Sequence, residues 1–89
     1  MSRRRFIESL IGPAGRIGAE LHSVCQEYGV TREQIMAPAR QCREISRARF
    51  ALYYRLNERH GMSVTDIGRF LQKDHSTIAH GIRRHEELA

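Results

Sequence analysis

The sequence predicts an all-α fold, a small helical bundle of about five to six helices that contains a helix-turn-helix. Apolar residues recur at three- and four-residue intervals wherever a clear period exists, and no stretch alternates as a β-strand would. The 89 residues are enough for one hydrophobic core and leave no room for a second. Residues 63–84 divide into two short helical patterns separated by a tight turn, which is the pattern of a helix-turn-helix.

Residues 1–19 are expected to form an N-terminal arm or docking helix ahead of a domain at 20–89. Three arginines at 3–5 precede an amphipathic fragment at 6–11, and glycine and proline at 12–15 interrupt it. Three interpretations stay open: a basic arm that follows DNA, a frayed tail, and a helix that docks. A docking helix would contact the domain itself, a second copy in a homodimer, or a protein partner.

The first two helices of the domain are predicted from apolar spacing and capping residues. Residues 19–28 place apolar side chains at i, i+3, i+4 and i+7, and Gly29 is expected to end that helix. Thr31 and Gln34 form a capping box for a short second helix that stops before Pro38. The apolar positions of the first helix are Leu21, Val24, Cys25 and Tyr28.

The longest helix is predicted at 47–59, capped by Ser46 or beginning a few residues earlier, and ending at His60 and Gly61. Its aromatic residues are interpreted as core rather than as platforms for stacked bases. Its inner face is expected to contain Ala48, Ala51, Leu52 and Leu56, widened by Phe50, Tyr53 and Tyr54. Four arginines are expected to lie outside this core, and some of them are expected to contact phosphate: Arg47, Arg49, Arg55 and Arg59.

The helix-turn-helix begins at Ser63, an N-cap with Asp66 three residues later. Gly68 is predicted to let the two helices approach closely. Asp74 is the predicted N-cap of the second helix, at 75–84, and the N-terminal residues of such a helix are the ones that meet base edges in DNA.

The candidate base-contacting residues are Asp74, His75, Ser76 and Thr77. A carboxylate accepts from the amino groups of cytosine or adenine, a threonine methyl contacts the thymine methyl, and an imidazole can donate or accept. The alternative is that Asp74 and Thr77 only cap a helix and that His75 is a solvated surface residue. Capping alone does not explain why the whole pattern occurs in a basic domain.

Ile67-Gly68 followed by Lys73-Asp74-His75-Ser76-Thr77-Ile78-Ala79-His80 resembles the C-terminal DNA-binding domain of the bacterial replication initiator DnaA. The resemblance extends over roughly residues 20–88. It implies a Trp-repressor-like helical bundle with Asp74, His75 and Ser76 on bases in the major groove and Thr77 beside them.

The resemblance also implies a basic loop whose arginine enters the minor groove. That position is Gln41 here, with Arg40 and Arg43 on either side. The family's Pro-Arg-Gln becomes Ala48-Arg49-Phe50, and the turn Leu71-Gln72-Lys73 is one residue shorter than in some members. From the residues and the resemblance together, the candidates for phosphate or minor-groove contact are Arg40, Arg43, Arg47, Arg49, Ser63, Arg69 and Lys73.

The expected function is sequence-selective binding of double-stranded DNA, in a regulator of transcription or of replication initiation at initiator-type boxes. The alternative is a helical protein-interaction adaptor that keeps the fold without specific DNA binding. The chain has no G-x-x-x-x-G-K-[ST] phosphate loop and is too short for an ATPase domain, so no nucleotide is expected.

Charge supports the nucleic-acid interpretation. The chain has 15 Lys+Arg against 10 Asp+Glu, a formal net charge of +5, and Lys73 is its single lysine. The arginine excess has two explanations that stay open, bidentate phosphate binding and the codon usage of a GC-rich genome.

Catalysis, metals and membranes are not expected. Cys25 and Cys42 are too far apart for a CxxC pair, and His75, His80 and His85 recur every five residues and so diverge on a helix. Neither a metal nor another cofactor is predicted, and the chain offers no nucleophile–base pair for an enzyme. Because no apolar run has the length of a membrane span, a cytoplasmic, nucleoid-associated location is expected.

Overall fold

The computed structural model describes residues 15–37 and 42–88, except for the side chain of Arg16. These residues form five helices and no strand, which confirms the all-α prediction. The predicted boundary between residues 19 and 20 stays a prediction, and helix α1 runs across it. The interpretation of residues 1–14 lies outside the described part of the chain. The helices are α1 (Gly15–Tyr28), α2 (Arg32–Met36), α3 (Arg43–His60), α4 (Val64–Leu71) and α5 (His75–Leu88).

Helix α3 is the centre of the bundle, because it contacts each of the other four described helices. Tyr53 is buried and Phe50 and Tyr54 are half-buried against neighbouring helices, so the assignment of the aromatic residues to the core is confirmed. Burial of this apolar surface is the main force that holds the bundle together. The most deeply buried aliphatic side chains are Val24, Ile35, Leu52, Leu56, Ile67 and Ile78.

Local signals at the helix ends are confirmed. Gly29 and Gly61 have left-handed φ values of 66° and 65°, which glycine adopts without a steric cost. The Thr31 hydroxyl accepts a 3.0 Å hydrogen bond from the amide of Gln34, whose side chain accepts one of 2.8 Å from the amide of Thr31. The Ser63 hydroxyl accepts from the amide of Asp66 at 3.1 Å and so caps α4.

Three helix bounds differ from those predicted. Helix α1 begins at Gly15 rather than near residue 19, because Ile17 lies four residues before Leu21 and extends the buried stripe of the helix by one turn. For the long helix, the alternative of a start a few residues earlier is confirmed, and the cap at Ser46 is not observed. Cys42 is the N-cap, and the amide of Ser46 already donates to its carbonyl at 3.0 Å. Helix α5 continues one turn past the predicted end at residue 84.

A cluster of ionic contacts joins α1 to the end of α3. The carboxylate of Glu20, only 8% exposed, contacts Arg59 Nη1 at 3.2 Å and His60 Nε2 at 2.9 Å. Arg55 lies 3.8 Å from Glu20 and pairs with Glu27 at 2.7 Å. The expectation that arginines of this helix lie outside the core is wrong for Arg55, whose side chain is only 12% exposed, whereas Arg59 stays 62% exposed and reaches Glu20 from the surface.

Candidate nucleic-acid interface

The turn between α4 and α5 is held by a close approach of backbone. A Cβ atom on Gly68 would lie 2.6 Å from the Lys73 carbonyl oxygen, and the Lys73 amide donates to the Gly68 carbonyl at 2.8 Å. Gln72 closes the turn in the left-handed region with φ 58°. The predicted role of Gly68 is therefore confirmed, and the tight turn fixes where the second helix starts.

A second close approach, which sequence reasoning missed, seats α5 on α3. A Cβ atom on Gly81 would lie 2.5 Å from Tyr53 Cδ2 and 2.9 Å from Phe50 Cδ1. The sequence did contain an indication of this contact. Gly81 lies in the interior of a helical pattern, and a glycine there weakens the helix, so it usually has a packing reason. This contact brings the backbone of α5 directly against the aromatic side chains of α3.

Asp74 and the first three residues of α5, which we call the reading turn (Asp74, His75, Ser76 and Thr77), point into solvent. The side chains of Asp74 and His75 are 67% and 65% exposed, and Ser76 and Thr77 are also exposed. The Asp74 carbonyl accepts from the amides of Thr77 and Ile78, at 3.0 and 3.2 Å. Asp74 Oδ1 lies 3.6 Å from His75 Nδ1. Donors, acceptors and a methyl group are thus presented together at the start of one helix.

A groove of about 430 Å³, which we call the proximal groove, lies between this turn and α3. Burial, and secondarily the nearby Arg49 guanidinium, lowers the pKa of Lys73. An anion in the groove would relieve both effects, because it would offset the lost hydration and the repulsion between the two cations. The groove is lined by Ser46, Arg49, Phe50, Tyr53, Gln72, Lys73, Asp74, Thr77 and His80.

Arg49 has a structural role that the sequence did not reveal. Its Nε donates to the Ile35 carbonyl at 3.0 Å, and its Nη2 donates to the carbonyls of Gln34 and Ala37 at 2.8 Å each. These oxygens belong to the last turn of α2 and its C-cap, where carbonyls have no intrahelical partner. Arg49 therefore fixes α2 on α3, and its predicted phosphate contact stays a prediction.

A second depression of about 450 Å³, which we call the distal furrow, continues along α3 and α5 away from the reading turn. Arg43 and Arg47, predicted from the sequence, are exposed at this furrow, but Arg84 and His80 were not predicted. The His80 ring meets the edge of Phe50 at a centroid distance of 6.1 Å. The furrow is lined by Arg43, Ser46, Arg47, Phe50, His80, Arg84 and Leu88.

The remaining predicted residues lie elsewhere. Ser63 and Arg69 are exposed at opposite ends of α4 and line neither depression, whereas Arg40 falls outside the described residues. Thus Arg49 and Lys73 lie together in the proximal groove, and Arg43 and Arg47 lie together in the distal furrow.

Other chemistry finds little support in the described part of the chain. Residues 15–37 and 42–88 contain no group of three or more His, Cys, Asp or Glu side chains arranged to hold a metal. None of the described helices combines the length and the apolarity needed to cross a bilayer. Burial raises the pKa of the Cys25 thiol, although Arg32 opposes the shift, which agrees with a structural rather than a reactive cysteine.

A five-helix bundle with a tight helix-turn-helix and a solvent-facing second helix beside clustered arginines defines a helix-turn-helix domain of the DNA-binding class. Its residues 21–84 match the bacterial DnaA protein helix-turn-helix family, and the chain belongs to that family.

Curated relatives agree with this assignment. The chain is 40% identical over 68 residues to the chromosomal replication initiator protein DnaA of Thermomicrobium roseum, covering 75% of this chain and 14% of the relative. It is 29% identical over 68 residues to that of Pseudothermotoga lettingae, covering 76% of this chain and 15% of the relative. The chain therefore spans about one seventh of the length of these relatives. No solved structure gives a significant match.

Proposed function

We propose that this domain binds double-stranded DNA sequence-selectively and that it regulates transcription or replication initiation at initiator-type boxes. The observation that carries the proposal is the exposed reading turn, which lies at the start of α5 beside the proximal groove. The family match supports the same class of partner. A protein with this activity would reside on the nucleoid.

In this proposal the reading turn enters the major groove. The Asp74 carboxylate accepts a hydrogen bond from an exocyclic amino group, Thr77 contacts a thymine methyl, and His75 and Ser76 donate or accept. Asp74 Oδ1 lies 3.6 Å from His75 Nδ1, so the two side chains are close enough to approach the same base edge.

Phosphate contacts would orient the domain without reading sequence. Lys73 and Arg49 in the proximal groove and the free amides that follow Ser63 supply one set of donors. Arg69 on α4 and Arg40, which precedes α3 in the sequence, complete the proposed contacts. With roughly six phosphates neutralised, the logarithm of the binding constant should fall with the logarithm of salt concentration at a slope near −5.

The test has two stages. Selection from a random duplex pool should enrich one motif, and anisotropy titrations on that duplex should then compare variants at fixed salt. His75→Ala or Thr77→Ala should weaken binding to the selected duplex by roughly 5- to 150-fold and reduce the preference over scrambled DNA. The matched control is His22→Ala, which removes an exposed histidine from α1. Failure to enrich any motif would contradict the proposal and favour the protein-interaction adaptor.

A further inference from the structure

We infer that the distal furrow is a second phosphate-binding subsite, in which Arg84 joins Arg43 and Arg47 in gripping the DNA strand that borders the major groove. The inference rests on the proposed function and adds a residue and a location to it. Arg84 comes from the C-terminal half of α5, whereas Arg43 and Arg47 come from the first turns of α3, yet all three line one depression.

The length of α5 explains why a backbone contact is expected there. Arg84 follows Ser76 by eight residues, which at 1.5 Å per residue places it about 12 Å further along the helix axis. The major groove is also about 12 Å wide. If the reading turn meets base edges, Arg84 therefore lies near the phosphodiester backbone at the edge of that groove rather than over bases.

The charges around the furrow leave its arginines available to an anion. Arg84 Nη1 pairs with Glu87 at 2.7 Å, but both side chains are about half-exposed and such a pair is weak enough to exchange for phosphate. Glu44 lies near Arg43 and Arg47. A hydrogen bond to its own backbone amide, then one with the Cys42 side chain, lowers its pKa, and the charges of Arg43 and Arg47 contribute less. Because this carboxylate is exposed, water screens its attraction to the two arginines, and phosphate can compete with it.

The remaining lining of the furrow fits a sugar–phosphate strand. Phe50 and Leu88 provide apolar surface against which a deoxyribose can lie, and His80 stands edge-on to Phe50. Guanidinium groups around such a surface can each donate two parallel hydrogen bonds to a phosphate. A duplex backbone presents this alternation of apolar sugar and charged phosphate, so duplex DNA fits the furrow better than an isolated anion does.

The test measures salt dependence and phosphate position together. On the selected duplex, Arg84→Gln and Arg47→Gln should each reduce the magnitude of the salt slope by about 0.9, with affinity lowered roughly 3- to 30-fold for every sequence. Single neutral methylphosphonates should then be scanned along both strands. A methylphosphonate at one or two adjacent positions flanking the motif should weaken DNA binding by the wild type several-fold. It should leave DNA binding by Arg84→Gln unchanged, because this variant no longer makes the contact that the modification removes.

Controls separate this inference from the proposed function. Arg32→Gln removes the same charge from the depression between α1 and α2 and should leave the slope and the methylphosphonate profile intact. Circular dichroism confirms that each variant is folded. If Arg84→Gln and Arg47→Gln behave as Arg32→Gln does while His75→Ala still impairs binding, the furrow inference is overturned and the proposed function stands. If the wild-type protein binds no duplex, the proposed function and the furrow inference are both overturned.

Discussion

Gly68 and Lys73 are in such close contact that a single methyl group between them would displace the turn of the helix-turn-helix. A Cβ atom at Gly68 would lie 2.6 Å from the Lys73 carbonyl oxygen, well inside van der Waals contact. That oxygen is backbone, so it can move only if the whole turn moves. The position of the reading turn relative to α4 therefore depends on a glycine at 68.

The first prediction is that Gly68→Ala is destabilising although alanine is the better helix former. Displacing the turn should cost about 1–3 kcal/mol in the free energy of unfolding and weaken DNA binding further by misplacing α5. Gly18→Ala is the matched control, since a Cβ atom there meets nothing within 4 Å, and it should be neutral or stabilising by up to about 1 kcal/mol. Urea denaturation followed by circular dichroism measures both. Equal stability of the two variants would contradict the packing argument.

The second prediction concerns Arg49, whose guanidinium donates hydrogen bonds to three backbone carbonyls at the end of α2. Arg49→Lys keeps the charge but cannot reproduce the planar donor set, so unfolding should become easier by about 1–3 kcal/mol. The control is Arg47→Lys at an exposed site on the same helix, which should be within about 0.5 kcal/mol of wild type. Unchanged stability of Arg49→Lys would show that these hydrogen bonds contribute little.

The helix-turn-helix and its caps were predictable from sequence because their determinants are local. Ser63 precedes its helix by one position, and the Thr31–Gln34 capping box spans three residues. The roles of Gly81 and Arg49 were not predictable, because their partners come from other helices or lie more than ten residues away. The exposed helix start at Asp74 was predictable because Asp74 directly precedes α5, and its contact with bases stays a prediction.

The third prediction tests the ionic cluster that the sequence did not reveal. Glu20→Gln keeps the shape of the buried side chain but removes the charge that faces Arg55, Arg59 and His60, so the free energy of unfolding should fall by about 1–3 kcal/mol. Glu27→Gln, which affects a more exposed partner of Arg55, should cost less than about 1 kcal/mol. DNA affinity at a temperature where both remain folded should not change, since neither depression includes these residues.

The fourth prediction follows from the burial of Tyr53 between α3 and α5. Desolvation raises the pKa of this phenol from 10.0 to about 12, with Arg49 opposing the shift. A folded-state pKa above the unfolded value means that the unfolded chain loses its proton first. The associated stability is complete below pH 10 and is lost as pH rises from about 10 to about 12, on the order of 2 kcal/mol in all.

Tyr53→Phe isolates this effect because it keeps the ring against Gly81 and removes only the ionisable hydroxyl. Denaturation midpoints should be measured from pH 8 to pH 11.5 for wild type and variant. The difference between the two denaturation midpoints should be constant up to about pH 10, because the other titrating groups contribute alike to both proteins. Above that pH the midpoint of the wild type should fall relative to that of Tyr53→Phe. A gap that stays constant to pH 11.5 would mean that the phenol ionises as easily in the folded protein as in the unfolded chain. The Tyr53 hydroxyl would then be open to water in the folded protein, contrary to its burial between α3 and α5.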